Sequence, residues 1–176
     1  MRVGQPNSYS KRCQMKRPSL AALAPALALT LGLSGASKPG SIQGSWRTIE
    51  VTIPGPNGRT VTSVQPNLTI LTNKHYSRVE VHSDAPRPVV ADAAHASAEE
   101  LRAAWGPFVA EAGTYEISGN IITMRPIVAK NPAAMVAGAY STFAFRLAGD
   151  TIWITPKSTD KGQVADAFTV KAVRVE

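Results

Sequence analysis

The chain has 176 residues, 44% of them hydrophobic, with 19 Lys+Arg against 12 Asp+Glu and a formal charge of +7. That hydrophobic fraction excludes wholesale disorder, and a single cysteine excludes a disulfide framework or a multi-cysteine zinc site. The basic excess by itself points to nucleic acid or a membrane surface, but it is unevenly distributed along the chain.

Five cations, Arg2, Lys11, Arg12, Lys16 and Arg17, precede an apolar run from Ser19 to Leu33, and no acid lies among them. Ser34, Gly35, Ala36 and Ser37 follow. A basic region, a short apolar region and a small-x-small site predict a secretory signal peptide over residues 1–36, cleaved after Ala36. Met15-Lys16-Arg17-Pro18 also reads as the start of a compact signal peptide. An uncleaved anchor is the competing reading, but the run is short and Ala-rich for a span of about 20 residues. Removing the leader leaves 14 Lys+Arg against 12 acids, about +2, and no cysteine. Nucleic acid is then not an expected partner, and no stable membrane span is expected after cleavage. The expected location is secreted or periplasmic.

From residue 41 onward the dominant pattern is alternation with a period of two. Gly44 to Ile53 reads as the first strand and stops at the turn Pro54-Gly55-Pro56-Asn57-Gly58. Thr60 to Val64 resumes the pattern, and Asn67 to Thr72 with His75 to His82 predicts a hairpin about Asn73-Lys74. Pro86 and Pro88 then force a loop. Ser97-Ala98-Glu99-Glu100 signals a helix with a capping box, its apolar face made by Leu101, Ala104, Trp105 and Phe108. Gly113 to Ser118 and Ile121 to Val128 predict a hairpin about Gly119-Asn120. Lys130 to Gly138 reads as a loop. Ala139 to Leu147, Thr151 to Thr155 and Ala167 to Val175 are the last three strands.

The expected fold over 41–176 is therefore all-β: an eight-stranded antiparallel up-and-down barrel, with one short helix between strands 3 and 4. An open sandwich is the alternative.

At Gly44-Ser45-Trp46 the pattern resembles the lipocalin signature, a Gly-x-Trp on the first strand of an eight-stranded meander. The chain looks like small secreted bacterial proteins with a lipocalin-like domain. Gln43-Gly44-Ser45-Trp46-Arg47, Gln65-Pro66 with His75-Tyr76-Ser77, and the stretch from Phe108 to Glu116 carry that resemblance. It implies a barrel floor of Gly44 and Trp46, with an arginine from the end of the barrel packed over the indole. Arg174 is the first choice for that arginine and Arg146 the second. Vertebrate lipocalins differ in having a disulfide and no mid-chain helix.

Little in the chain signals catalysis. The histidines His75, His82 and His95 lack metal-site spacing, there is no Gly-rich phosphate loop, and no cofactor or metal is expected. His82-Ser83-Asp84 offers an imidazole beside a carboxylate, but adjacency in sequence is poor evidence for a catalytic pair. Strand parity gives two readings of the lumen. If Trp46 points inward, Thr48 and Glu50 do too, while Ile49 and Val51 point out. Polar handles at Glu50, Tyr76, Arg78, Arg125 and Tyr140, with Trp153 beside them, would then bind ligand. In the second reading those faces are solvated and the aliphatic faces fill the lumen. A β-bulge would shift parity in either case. Trp153, Phe143, Phe145, Tyr115 and Phe168 either line a cavity or pack the core.

The favoured expectation is a secreted protein binding a small apolar or amphipathic molecule. One alternative is an isomerase, cyclase or hydrolase using Glu50, Arg78, Glu80 and Arg125. The other is an envelope structural or stress protein without ligand.

Overall fold

In the computed structural model of the chain, residues 40–176 are described. The proposed leader lies outside those residues. The strands are β1 (Gly44–Ile53), β2 (Arg59–Val61), β3 (Asn67–Leu71), β4 (His75–Val81), β5 (Phe108–Ser118), β6 (Ile121–Ala129), β7 (Ser141–Ala148), β8 (Thr151–Thr159), β9 (Gly162–Gln163) and β10 (Thr169–Arg174). Eight of them form the closed antiparallel barrel β1-β3-β4-β5-β6-β7-β8-β10, sealed by β10 pairing with both β8 and β1. Closure leaves the barrel strands no free edge. The short β2 and β9 pair only with β1 and β8.

The one α-helix, α1 (Ala98–Trp105), follows β4. It comes after the fourth strand of the chain, not the third, because Arg59–Val61 forms a strand of its own. Ser97 caps it in a reciprocal box: the Glu100 amide donates to Ser97 Oγ at 3.2 Å, and the Ser97 amide donates to Glu100 Oε2 at 2.8 Å. Gly106 ends the helix, and Phe108 opens β5 instead of extending the helical face. The strand expected from Gly113 thus begins five residues earlier. The Trp105 and Phe108 rings still meet edge to face, with centroids 6.0 Å apart. The β5–β6 and β7–β8 hairpins turn at Gly119 (φ 59°) and Gly149 (φ 56°), where a side chain would be strained.

Three β-bulges decide which side chains face inward. In β1 the partner of Thr48 is Ala172 and that of Glu50 is Lys171, so Ile49 is an extra residue. In β6, Gly113 pairs with Pro126 and Ala112 with Val128, leaving Ile127 over. In β8, Phe143 pairs with Pro156 and Thr142 with Ser158, leaving Lys157 over. Each bulge advances the strand by one residue and reverses its parity. At the second, a Cβ on Gly113 would lie 2.0 Å from the Arg125 carbonyl oxygen, so only glycine permits the close approach.

The core lies toward one end of the barrel. Trp46, Leu71, Tyr76, Ile122 and Ile152 are almost fully buried there, with Tyr115, Met124 and Ala172 around them.

Candidate ligand-binding site in the barrel lumen

The closed end is built around Trp46 and Arg174. The two residues are directly opposite in the β1–β10 pair. The guanidinium carbon lies 4.3 Å from the indole centroid, a cation–π stack. The indole N–H donates to the Ile42 carbonyl at 2.7 Å. Arg174 also donates from Nη2 to the Ser41 carbonyl at 2.6 Å, from Nη1 to the Gln43 carbonyl, and from Nε to Asp150 Oδ1 at 3.1 Å. A planar fork with several donors is needed to reach all three. The segment before β1, the β7–β8 turn and the end of β10 are thereby tied together. Arg146 does not take part: it stacks on Trp153, 3.5 Å from the ring centroid, on the outer wall.

Above this floor a cavity of about 430 Å³ runs to the opposite end of the barrel. That lies within the range of about 300–1,000 Å³ common for small-molecule sites. Its apolar wall includes Val51, Met124, Phe143, Ile152, Ile154 and Val170. The mouth is edged by Ile53, Arg59, Val61, His82, Ser83, Asp84 and Phe168. Arg59 and Asp84 form an exposed ion pair at 3.1 Å there. No residue of α1 contributes to the cavity wall. Arg87 instead anchors the helix, its guanidinium 4.7 Å from the Phe108 centroid and donating to the Ala104 carbonyl at 3.2 Å.

One side of the lumen is charged. Alternation along β4 turns Tyr76, Arg78 and Glu80 inward, and β5 places Glu111 directly opposite Arg78. Arg78 Nη2 is 3.2 Å from Glu111 Oε1, and its Nε is 4.0 Å from Glu80 Oε1. That Nε is buried and makes no hydrogen bond. Glu80 Oε2 contacts His82 Nε2 at 2.6 Å. The Tyr76 hydroxyl donates to Glu111 Oε1 at 3.2 Å. Burial first, then the neighbouring Glu111 carboxylate, pushes the Tyr76 phenol well above its ordinary value, so it remains a donor. Burial alone would raise the Glu80 carboxyl. The His82 hydrogen bond and the Arg78 and His82 charges outweigh burial and hold it below the usual carboxylate value.

The residues singled out from the sequence fall in different places. Arg78 lines the cavity. Tyr76 is buried beneath it in the floor packing. Glu50 does not face the lumen: the extra residue at Ile49 turns it outward beside Lys171 and brings Val51 in. Arg125 is on the outer wall, half exposed and 3.4 Å from Glu116, because the inward positions of β6 are Ile122 and Met124. Trp153 is also outside, since Ile152 and Ile154 point in. Tyr140 precedes β7 and is half-buried away from the cavity. Of the aromatic set, Phe143 and Phe168 line the lumen, and Phe145 packs on the core with Tyr115. His82 pairs with Glu80, not Asp84, and His95 pairs with Asp92 at 2.6 Å on the surface. Sequence reasoning passed over Glu111. The alternation Val109, Glu111, Gly113 was the available signal, hidden by reading Phe108 as helical.

Among the described residues, no group of three or more His, Cys, Asp or Glu side chains is placed to hold a metal ion. None of the helices among those residues is long and apolar enough to cross a membrane. No family model matches the chain, and no curated protein matches it. A crystal structure of an uncharacterized protein from Bacteroides eggerthii is similar to it over 74% of this chain and 98% of that chain, at 11% identity and a TM-score of 0.39.

Proposed function

We propose that the protein is a secreted or periplasmic lipocalin-like binding protein that holds a small amphipathic molecule in its barrel. The carrying observation is the 430 Å³ lumen, apolar over most of its wall and charged along β4. A filled barrel would give a structural role, and a wholly apolar one a simple hydrocarbon site. An open apolar space with Arg78 and Glu80 on one side suits a ligand with an apolar body and a polar end.

The test is displacement of an environment-sensitive fluorescent probe from the purified protein, with native mass spectrometry of whatever co-purifies. Ile154→Trp projects an indole into the cavity. Probe binding is expected to fall at least tenfold, with a stability cost of no more than about 1–3 kcal/mol. Undiminished binding in Ile154→Trp would move the site out of the lumen. Export is tested separately, by N-terminal sequencing of the protein recovered from the periplasm or medium. A start at or near Ser37 is expected, and an intact N-terminus would overturn it.

A further inference from the structure

Resting on the reading of the lumen as an amphiphile site, the charge count of its wall narrows the ligand further. Arg78 and Glu80 line the apolar space, and Glu111 pairs with Arg78 from behind it. Arg59 and Asp84 at the mouth offset each other. Arg78 is a single cation flanked by two carboxylates, so these three side chains together carry one more negative charge than positive. Glu80 carries the accessible share of it. Its Oε2 is engaged by His82, but its Oε1 stands 4.0 Å from Arg78 Nε, beyond hydrogen-bond distance. Glu80 lines the cavity, with only 16% of its side chain exposed. A carboxylate so placed lacks both full solvation and a full set of donors, and a ligand can supply the missing donor.

We infer that the lumen selects an amphiphile with a positively charged hydrogen-bond donor at its polar end, an alkylammonium group received by Glu80 Oε1. A fatty-acid anion of the same length would meet the Glu80 carboxylate in the cavity wall, beside a guanidinium whose Nη2 is already paired with Glu111 behind it. The charged side chains of that wall are only 15–24% exposed, so the like-charge repulsion is screened less than at an open surface.

Three ligands with one tail and different heads test this on the full chain: decylamine, decanol and decanoate, each measured by displacement of the same probe at pH 7. Decylamine is expected to bind at least about tenfold more tightly than decanoate, with decanol between them. In Glu80→Gln the spread between amine and acid should shrink to about twofold. Glu116→Gln removes one carboxylate on the outer wall and should leave the spread unchanged, which separates the local charge from the net charge. Decanoate binding as well as decylamine would overturn the inference while leaving an amphiphile site in place. A spread that survives Glu80→Gln would remove Glu80 as the receptor. Failure of all three ligands to bind would overturn both the inference and the proposed function. The wild-type series gives its answer whether or not Glu80→Gln folds.

Discussion

The two ends of the barrel use arginine in opposite ways. At the floor, Arg174 stacks on Trp46 and donates to two carbonyls and a carboxylate. In the lumen wall, Arg78 lies between two carboxylates and its Nε is left without a hydrogen bond. Both side chains come from inward positions of barrel strands. What differs is completeness: the floor satisfies its own polar groups, and the wall does not. A satisfied network stabilises and fixes geometry, whereas an incomplete one is worth its cost mainly where something else completes it. The floor is thus the part that holds the barrel closed, and the wall is the part with chemistry left to offer.

Disrupting the floor should therefore have the largest effect on stability. Trp46→Ala removes a nearly fully buried indole from beneath Arg174. It should cost roughly 3–5 kcal/mol in urea or thermal unfolding. A loss under about 1 kcal/mol would mean that the floor is not the anchor. Arg174→Lys keeps the charge but cannot reproduce the fork to Ser41, Gln43 and Asp150. A loss of about 1–3 kcal/mol is expected, measured the same way. Full retention of stability would show that charge alone suffices at this position.

Alternation, turn residues and the Ser97 capping box were enough to read the barrel and most strand bounds from the sequence. Inward facing was legible only until the first bulge. Two of the three bulges carry a mark in the sequence, because Pro126 and Pro156 cannot donate to a ladder and are at home beside an irregular pair. The bulge at Ile49 has no such mark. Ile49 is as good a strand residue as its neighbours, so the pattern from Trp46 to Ile53 looks uninterrupted, and Glu50 is placed on the wrong face. The irregularity lies where β1 passes from pairing with β3 at Gly44–Trp46 to pairing with β2 at Val51–Ile53, with β10 along its other edge, a long-range arrangement that the local residues do not mark. Arg78 and Glu80 were placed on one face correctly because β4 has no bulge, and that face is now the charged side of the lumen.

The smallest expected effect is the acid response of Glu80, and it distinguishes wall from floor. In the folded protein this carboxyl is held below its ordinary value of 4.5: burial raises it, and the His82 hydrogen bond with the Arg78 and His82 charges more than offsets that rise. A carboxyl with a lowered folded-state value binds its proton less readily folded than unfolded. Its contribution to stability is then complete above the unfolded value and disappears as pH falls through the folded one. Urea unfolding measured from pH 6 down to pH 2 should show wild-type stability falling more steeply below about pH 4.5 than that of Glu80→Gln. Trp46→Ala, at the opposite end, should lower the whole curve without changing that slope. Parallel wild-type and Glu80→Gln curves would mean that burial balances the favourable partners. The polar wall would then have no excess hold on its negative charge, and its contrast with the self-satisfied floor would be lost.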